Sequence, residues 1–242
     1  MKHNFLKLLQ RAAIAVGLLA AATAATAAPY FYVDWLTGNA LAGTASGLIT
    51  LPDSSTVTVD FKATYANGDP GSLAFVKFDG SAPNYWNPTT PYTSAVVSNA
   101  PPNTDIVALN GGQNQIYTVT LGAAIVDPIM AIVSLGAPGI PTTYNFDSPF
   151  TILSQGVGYW GGSSTALQEL PGNVLQGTEG SGTIQFIGTF TQFSWTVPTP
   201  EYWHGFTFGI RTTEALNVPE PTTLLLFGAG LLALVAARRR KI

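Results

Sequence analysis

The chain of 242 residues carries no cysteine, and its 13 carboxylates and 10 basic residues leave a formal charge of −3. Disulfides and thiolate metal sites are therefore excluded, and the fold must rest on packing and strand pairing. Seven of the ten basic residues (Lys2, Lys7, Arg11, Arg238, Arg239, Arg240 and Lys241) sit at the two ends, so between Ala28 and Asn217 only Lys62, Lys77 and Arg211 stand against twelve carboxylates, a net −9 that excludes nucleic acid as a partner.

The first element in chain order is an export signal. MKHNFLKLLQR is basic, AAIAVGLLAAAT is short and apolar, and Ala25-Thr26-Ala27 supplies the small-x-small site read by signal peptidase after the Sec export machinery has engaged the chain. Cleavage is expected after Ala27, because a cut one residue later would place Pro29, with its missing N–H and fixed ring, directly after the scissile bond. Residues 1–27 are set aside as a cleaved secretory signal. A retained anchor is the alternative, disfavoured because the apolar part is short and rich in alanine.

Residues 28–217 leave room for one domain of about 190 residues, which buries roughly 70% of its unfolded surface. Thr56–Tyr65, TVTVDFKATY, puts Val57, Val59, Phe61, Ala63 and Tyr65 on one side and Thr56, Thr58, Asp60, Lys62 and Thr64 on the other. Period two with a polar face predicts a half-buried antiparallel strand. The turn-forming run Asn67-Gly68-Asp69-Pro70-Gly71 follows, then Leu73–Phe78 resumes strand character, so a hairpin is expected.

Further strands are expected at Ile116–Leu121, Ile129–Leu135, Phe150–Leu153, Thr183–Phe190, Gln192–Val197 and Phe206–Ile210. Ile129–Leu135, IMAIVSL, is apolar almost throughout and reads either as a central strand or as a buried helical turn; its Pro and Gly flanks favour the strand. Ala100-Pro101-Pro102-Asn103 and the stretch from Gly156 to Ser164 read as long connections at the ends of the domain. Many short strands and no helical period between the two ends predict an all-β fold, an antiparallel two-sheet sandwich of jelly-roll type. A linker from Thr212 to Pro221 would join it to the tail.

Catalytic readings lack parts. After signal removal His204 is the sole histidine, no His/Cys metal site can be assembled, and no Gly-x-Ser-x-Gly elbow is present. His204, beside Trp203, therefore reads as a hydrogen-bonded structural residue before it reads as a base. Gly156-Val157-Gly158 and Gly180-Ser181-Gly182 lack the strand-to-helix setting of a phosphate cradle. Glu169, Glu179 and Glu201 are the carboxylates that would serve as acid and base for glycoside hydrolysis if two of them faced each other in a groove. Loop oxygens with Asp69, Asp79 or Asp147 leave a calcium site open, although no EF-hand spacing is present. The expectation is no catalytic site and no cofactor.

Three of the five tryptophans directly follow tyrosine: Tyr85-Trp86, Tyr159-Trp160 and Tyr202-Trp203. In extended chain neighbouring side chains point to opposite faces, so each pair would send one ring inward and one outward, while in a loop both would be displayed. Rings displayed beside hydroxyl and amide groups suit sugar faces, and Gly161, Gly162, Ser163 and Ser164 after the second pair would let a ligand approach. The plainer reading is that these rings plug the ends of the sandwich.

The chain ends VPEPTTLLLFGAGLLALVAARRRKI. The sixteen uncharged residues 222–237 would make a helix of about 24 Å, short for a hydrocarbon core of about 30 Å but tolerable with snorkelling arginines and local thinning. A single C-terminal transmembrane helix is thus expected, with the basic cluster held in the cytoplasm and everything before the span on the far side. Pro219 and Pro221 bar helix at their preceding residues and present Glu220 on an extended backbone that a protease groove can grip.

Val218-Pro219-Glu220-Pro221, the span with Gly228-x-Gly230, and Arg238-Arg239-Arg240 together resemble the PEP-CTERM sorting signal, a resemblance confined to residues 218–242. It implies a Gram-negative bacterium, transient inner-membrane anchoring, and recognition by an exosortase, an integral-membrane cysteine protease or transpeptidase. It further implies association with exopolysaccharide or biofilm matrix; with the two end signals, the missing catalytic parts and the low charge, the expectation is an exported, non-enzymatic protein of the cell surface or extracellular matrix. Two other readings stay open: a matrix-acting glycosidase or lyase on the same sandwich, and a structural subunit that self-associates through exposed edge strands.

Overall fold

A computed structural model describes residues 27–102 and 105–211. The alternating segment is a strand, β4 (Thr56–Tyr65), with Val57, Val59, Phe61 and Ala63 buried, while Tyr65, grouped with them by alternation, stays exposed at its end. It lies inside an eight-stranded antiparallel sheet with β2 (Asp34–Asn39), β3 (Thr44–Thr50), β7 (Gln115–Val126), β9 (Thr142–Phe146), β11 (Leu167–Leu170), β12 (Val174–Gly177) and β14 (Thr189–Thr196). The order is β11-β12-β9-β14-β7-β4-β3-β2.

The second sheet holds β5 (Phe75–Lys77), β6 (Ile106–Gly111), β8 (Ile129–Leu135), β10 (Phe150–Gly156), β13 (Gly180–Phe186) and β15 (Glu201–Ile210) in the order β10-β13-β8-β15-β6-β5, and β1 (Phe31–Tyr32) pairs with the end of β15. Every ladder between these strands is antiparallel.

The two sheets pack face to face, as the all-β sandwich reading expects. Register aligns Phe61 with Val119 and Val119 with Phe193, while Tyr117 lies opposite Ala63 and Trp195. These side chains meet the other sheet through ring contacts: Phe61 and Trp195 each lie 5.2 Å from Phe206, and Phe193 lies 4.6 Å from both Phe186 and Phe208. Offset and edge-on ring pairs of this kind add to the area term that holds the core.

IMAIVSL is a central strand, β8, buried at all seven positions. It shows no alternation because both of its faces are covered. One faces the eight-stranded sheet. The other carries Ile129, Ala131 and Val133 against Tyr30, Tyr32, Trp86, Tyr92 and Val97, a second apolar layer supplied by the N-terminal segment and the excursion between β5 and β6. Asn99 pins these segments together, accepting from Tyr30 N–H at 2.8 Å and donating to Tyr30 O at 2.9 Å. Ala100–Pro102 therefore belongs to this covering layer and not to an end loop, while Asn103 lies outside the described residues.

The expected β4–β5 hairpin does not form. The turn after Tyr65 returns the chain for a single bridge, Thr64 with Pro70, and β5 then pairs with β6 in the other sheet, while β4 is flanked by β3 and β7. Both hydrogen-bonding edges of β4 are taken, so a third partner has no place. The single run expected over Thr183–Phe190 divides at Gly188, whose φ of 131° reverses the chain between β13 and β14, which lie in different sheets. The C-terminal helix, the linker and the N-terminal signal up to residue 26 fall outside the described residues, among which no helix is long and apolar enough to cross a membrane.

The sheet edges lie against each other. On one flank Gln155 of β10 accepts from Leu167 N–H at 2.7 Å and donates to Leu167 O at 3.1 Å, and Glu169 accepts from Ile152 N–H, so side chains of β10 and β11 engage each other's backbone across the gap. On the other, β2 approaches β5 so closely that a Cβ on Gly38 would sit 2.5 Å from Val76 Cβ. Gly38→Val should overpack this seam and cost about 1–3 kcal/mol in thermal or urea melts; a neutral variant would mean that the two edges do not meet in solution.

Candidate functional site

The three Tyr-Trp dipeptides come from distant parts of the chain, and four of their six rings form one cluster. Tyr85 lies 5.2 Å from Tyr159 and 5.2 Å from Trp203; Tyr159 lies 4.8 Å from Trp160, and Trp160 lies 6.3 Å from Trp203. Phe75 of β5 joins at 5.4 Å from Trp203. The pairs are edge-on, so the rings brace one another. Trp160 is 54% exposed and Tyr159 38%, whereas Trp203 and Tyr85 are half-buried against the outer apolar layer of the seven-stranded sheet.

The other two rings, Trp86 and Tyr202, stand apart from the cluster. Trp86 is fully buried, donates its indole N–H to Asp105 O at 3.2 Å and stands edge-on to Tyr92. Its role is to anchor the covering layer. Tyr202 is 86% exposed and makes no ring pair with the cluster. Alternation explains both: at each of these dipeptides one ring goes inward and its neighbour outward.

Beside the rings lies an open cavity of about 340 Å³, lined by Phe75, Lys77, Phe78, Asp79, Ser81 and Tyr85 among others. Sequence reasoning missed Phe75, Lys77 and Ser81 as site residues. The available signal was Lys77 itself, one of three cations in an acidic body. Its ammonium is 5.8 Å from the Tyr85 ring centroid and donates to Pro83 O at 3.4 Å.

Trp203 is held in place by an unusual local device. Between Glu201 and His204 the β15–β6 register slips by one residue, a bulge that brings both side chains to the same side. His204 Nδ1 lies 2.7 Å from Glu201 Oε2, with the side chains 0% and 6% exposed, and the Tyr144 ring sits edge-on at 5.1 Å from the imidazole. The buried pair thus clamps the two residues between it, Tyr202 and Trp203.

The candidate acid and base residues do not share an open groove. Glu169 accepts from Ile152 N–H at the β10–β11 flank. Glu179 accepts from Ser134 Oγ; burial first, and the Glu201 carboxylate as well, push its carboxyl up, against the pull of Ser134. Glu179 and Glu201 are neighbours, but Glu201 is enclosed with His204.

Nor are the candidate calcium ligands brought together. Asp69 accepts from Asn67, Asp79 from Ser81, and Asp147 from Ser148 and Ser194. Among the described residues no three His, Cys, Asp or Glu are grouped as a metal would need.

One carboxyl is raised towards neutrality. Burial first and the neighbouring Asp34 carboxylate second raise Asp105 to about 6. A raised carboxyl favours the folded state while protonated, so its contribution is full below the ordinary aspartate value of about 4 and is lost as pH rises through the folded value. Asp105→Asn should raise Tm at pH 8 and leave it unchanged at pH 4, read by circular dichroism. A variant that melts lower at pH 8 would contradict the repulsion.

The described residues therefore define an all-β protein of two packed antiparallel sheets with an aromatic cluster on an outer face. Residues 217–241 match the family model of the PEP-CTERM protein-sorting motif. That motif marks exosortase substrates: the chain is an exported protein processed at the membrane, and an exosortase is its processing partner. Val218, Pro219, Glu220, Pro221, Gly228, Gly230, Arg238, Arg239 and Arg240 fall in this match and outside the described residues. Of the signal-cleavage residues, Ala25 also lies outside them, and Ala27 is exposed. No curated protein and no solved structure matches the chain.

Proposed function

We propose that this chain is a non-enzymatic surface or extracellular-matrix protein whose domain, a jelly roll spanning residues 28–217, contacts exopolysaccharide or biofilm polymer through the ring cluster. The observation that carries this reading is the convergence of Tyr85, Tyr159, Trp160 and Trp203, from three separate segments, on one solvent-facing patch beside an open cavity. A pyranose has an apolar C–H face and a hydroxylated rim. Indole and phenol faces beside polar groups match it, and the patch is braced before any ligand arrives.

The jelly-roll assignment is supported by strand order. Within the two sheets, β6-β15-β8-β13 lies over β7-β14-β9-β12, so β6–β7, β8–β9, β12–β13 and β14–β15 each step from one sheet to the other, the double Greek key of that architecture. The non-enzymatic reading is supported by the enclosure of Glu201 with His204. The signal boundary is supported by pairing that begins at Ala28, which bridges Val97, so cleavage after Ala27 removes no paired residue. The tail, residues 218–242, anchors the precursor through a span at about 222–237 with its C-terminus in the cytoplasm until processing releases the domain.

The test is binding of the secreted protein to polysaccharide prepared from the producing cells. Trp160→Ala should weaken binding by about tenfold or more, the loss of about 1.4 kcal/mol, while Tyr202→Ala, a still more exposed ring outside the cluster, should change it little. Failure of the unaltered protein to bind, or equal loss in both variants, would remove the polysaccharide assignment.

A further inference from the structure

Resting on the glycan reading of the ring cluster, we propose that the ligand is an uncharged hexose polymer and that the cavity at Lys77, Asp79 and Ser81 is the subsite that reads its hydroxyls. The cavity continues the ring surface, because Phe75 and Tyr85 line it and also touch Trp203. To these apolar walls it adds a donor and an acceptor two residues apart. An ammonium has three N–H donors; one points Lys77 at Pro83 O, and the others are available to a ligand. Asp79 accepts the Ser81 N–H at 3.1 Å and the Ser81 O–H at 2.7 Å, both on Oδ1, which fixes the carboxylate and leaves Oδ2 to accept from a ligand.

This arrangement fits two hydroxyls of a pyranose, one accepting from Lys77 and one donating to Asp79, with the C–H face of the sugar on the adjoining rings. It fits charged sugars poorly. A uronate drawn to Lys77 meets Asp79 beside it, and the described residues hold three basic side chains against eleven carboxylates, a field that repels polyanions. A protonated amino sugar meets Lys77. An uncharged polymer incurs neither repulsion, and its affinity carries no Debye-screened component.

The protein secreted and processed by its producing cells is titrated with soluble neutral glucan, galactan and mannan, and with polygalacturonate, at low and high salt. At least one neutral polymer should bind, with Kd changing less than about twofold between about 20 and 200 mM salt, and polygalacturonate should bind at least about tenfold more weakly. Lys77→Met and Asp79→Asn should each weaken the neutral polymer by about tenfold, as expected when a charged hydrogen-bond partner of a ligand hydroxyl is lost.

Tighter, steeply salt-dependent binding of polygalacturonate overturns the neutral-ligand inference and leaves the ring site standing. Neutral binding at unaltered strength in both variants overturns the subsite. Absence of binding to every polymer, or binding that Trp160→Ala does not reduce, overturns the ring site and this inference together.

Discussion

Replacing Pro219, Glu220 and Pro221 together by alanine is expected to stop maturation, with secreted protein falling by about a hundredfold, the effect of losing about 3 kcal/mol of transition-state binding. The two prolines fix an extended backbone, and extended chain is what a protease groove binds with least ordering cost. Alanines would allow the helix expected for the span to continue upstream, hiding the peptide bonds in their own hydrogen-bonded turns. Glu220 supplies the one carboxylate between the prolines. Full-length precursor should collect in the membrane fraction, read by intact mass as retention of Arg238–Lys241. Secretion of the triple variant at the unaltered level would show that the match over residues 217–241 is not what the processing enzyme reads.

The second large effect concerns the Glu201–His204 clamp. Glu201→Ala leaves a fully buried imidazole without its carboxylate, and removing one partner of such a pair costs about 3–5 kcal/mol, a large share of a total stability of about 5–15 kcal/mol. For a domain of this size that corresponds to a fall in Tm of roughly 6–20 °C. Because the pair flanks Tyr202 and Trp203, the surviving folded fraction should also bind glycan more weakly. Replacing both members by apolar residues, Glu201→Leu with His204→Phe, should recover most of the stability without restoring the aim of Trp203. A single variant within about 1 kcal/mol of the parent would mean that the pair holds nothing.

Different parts of this molecule were legible to different degrees. β4 announced itself because one face is buried and the other wet, so its composition alternates. β6 did not: IVALNG is buried nearly throughout, sandwiched between the core and the covering layer, and so carries no period. β2 and β3 are interrupted by Gly38 and Gly47, where backbones or side chains pass too close for a Cβ, and glycine reads as turn when its reason lies in the opposite strand. β11 and β12 span four residues each, too short for a pattern.

The site shows the same division. The repeated Tyr-Trp pairs were visible as a recurrence, but their convergence depends on three segments crossing one sheet face, and no spacing in sequence encodes that. Lys77 looked like an ordinary strand residue until β5 placed it at the edge of the rings. The tail is the opposite case. Its information is linear, prolines then grease then arginines, because an export apparatus must read it in an unfolded chain.

The most direct measurement of the central claim is intrinsic fluorescence during titration with polysaccharide from the producing cells. Trp35, Trp86 and Trp195 are at most 1% exposed and Trp203 is half-buried, so Trp160, at 54%, is the most exposed indole and the main reporter of desolvation by a ligand. A saturating blue shift is predicted for the secreted protein, reduced by more than half in Trp160→Phe. No shift at any polysaccharide concentration, or a shift of undiminished size after the substitution, would contradict the claim that these rings are a glycan surface.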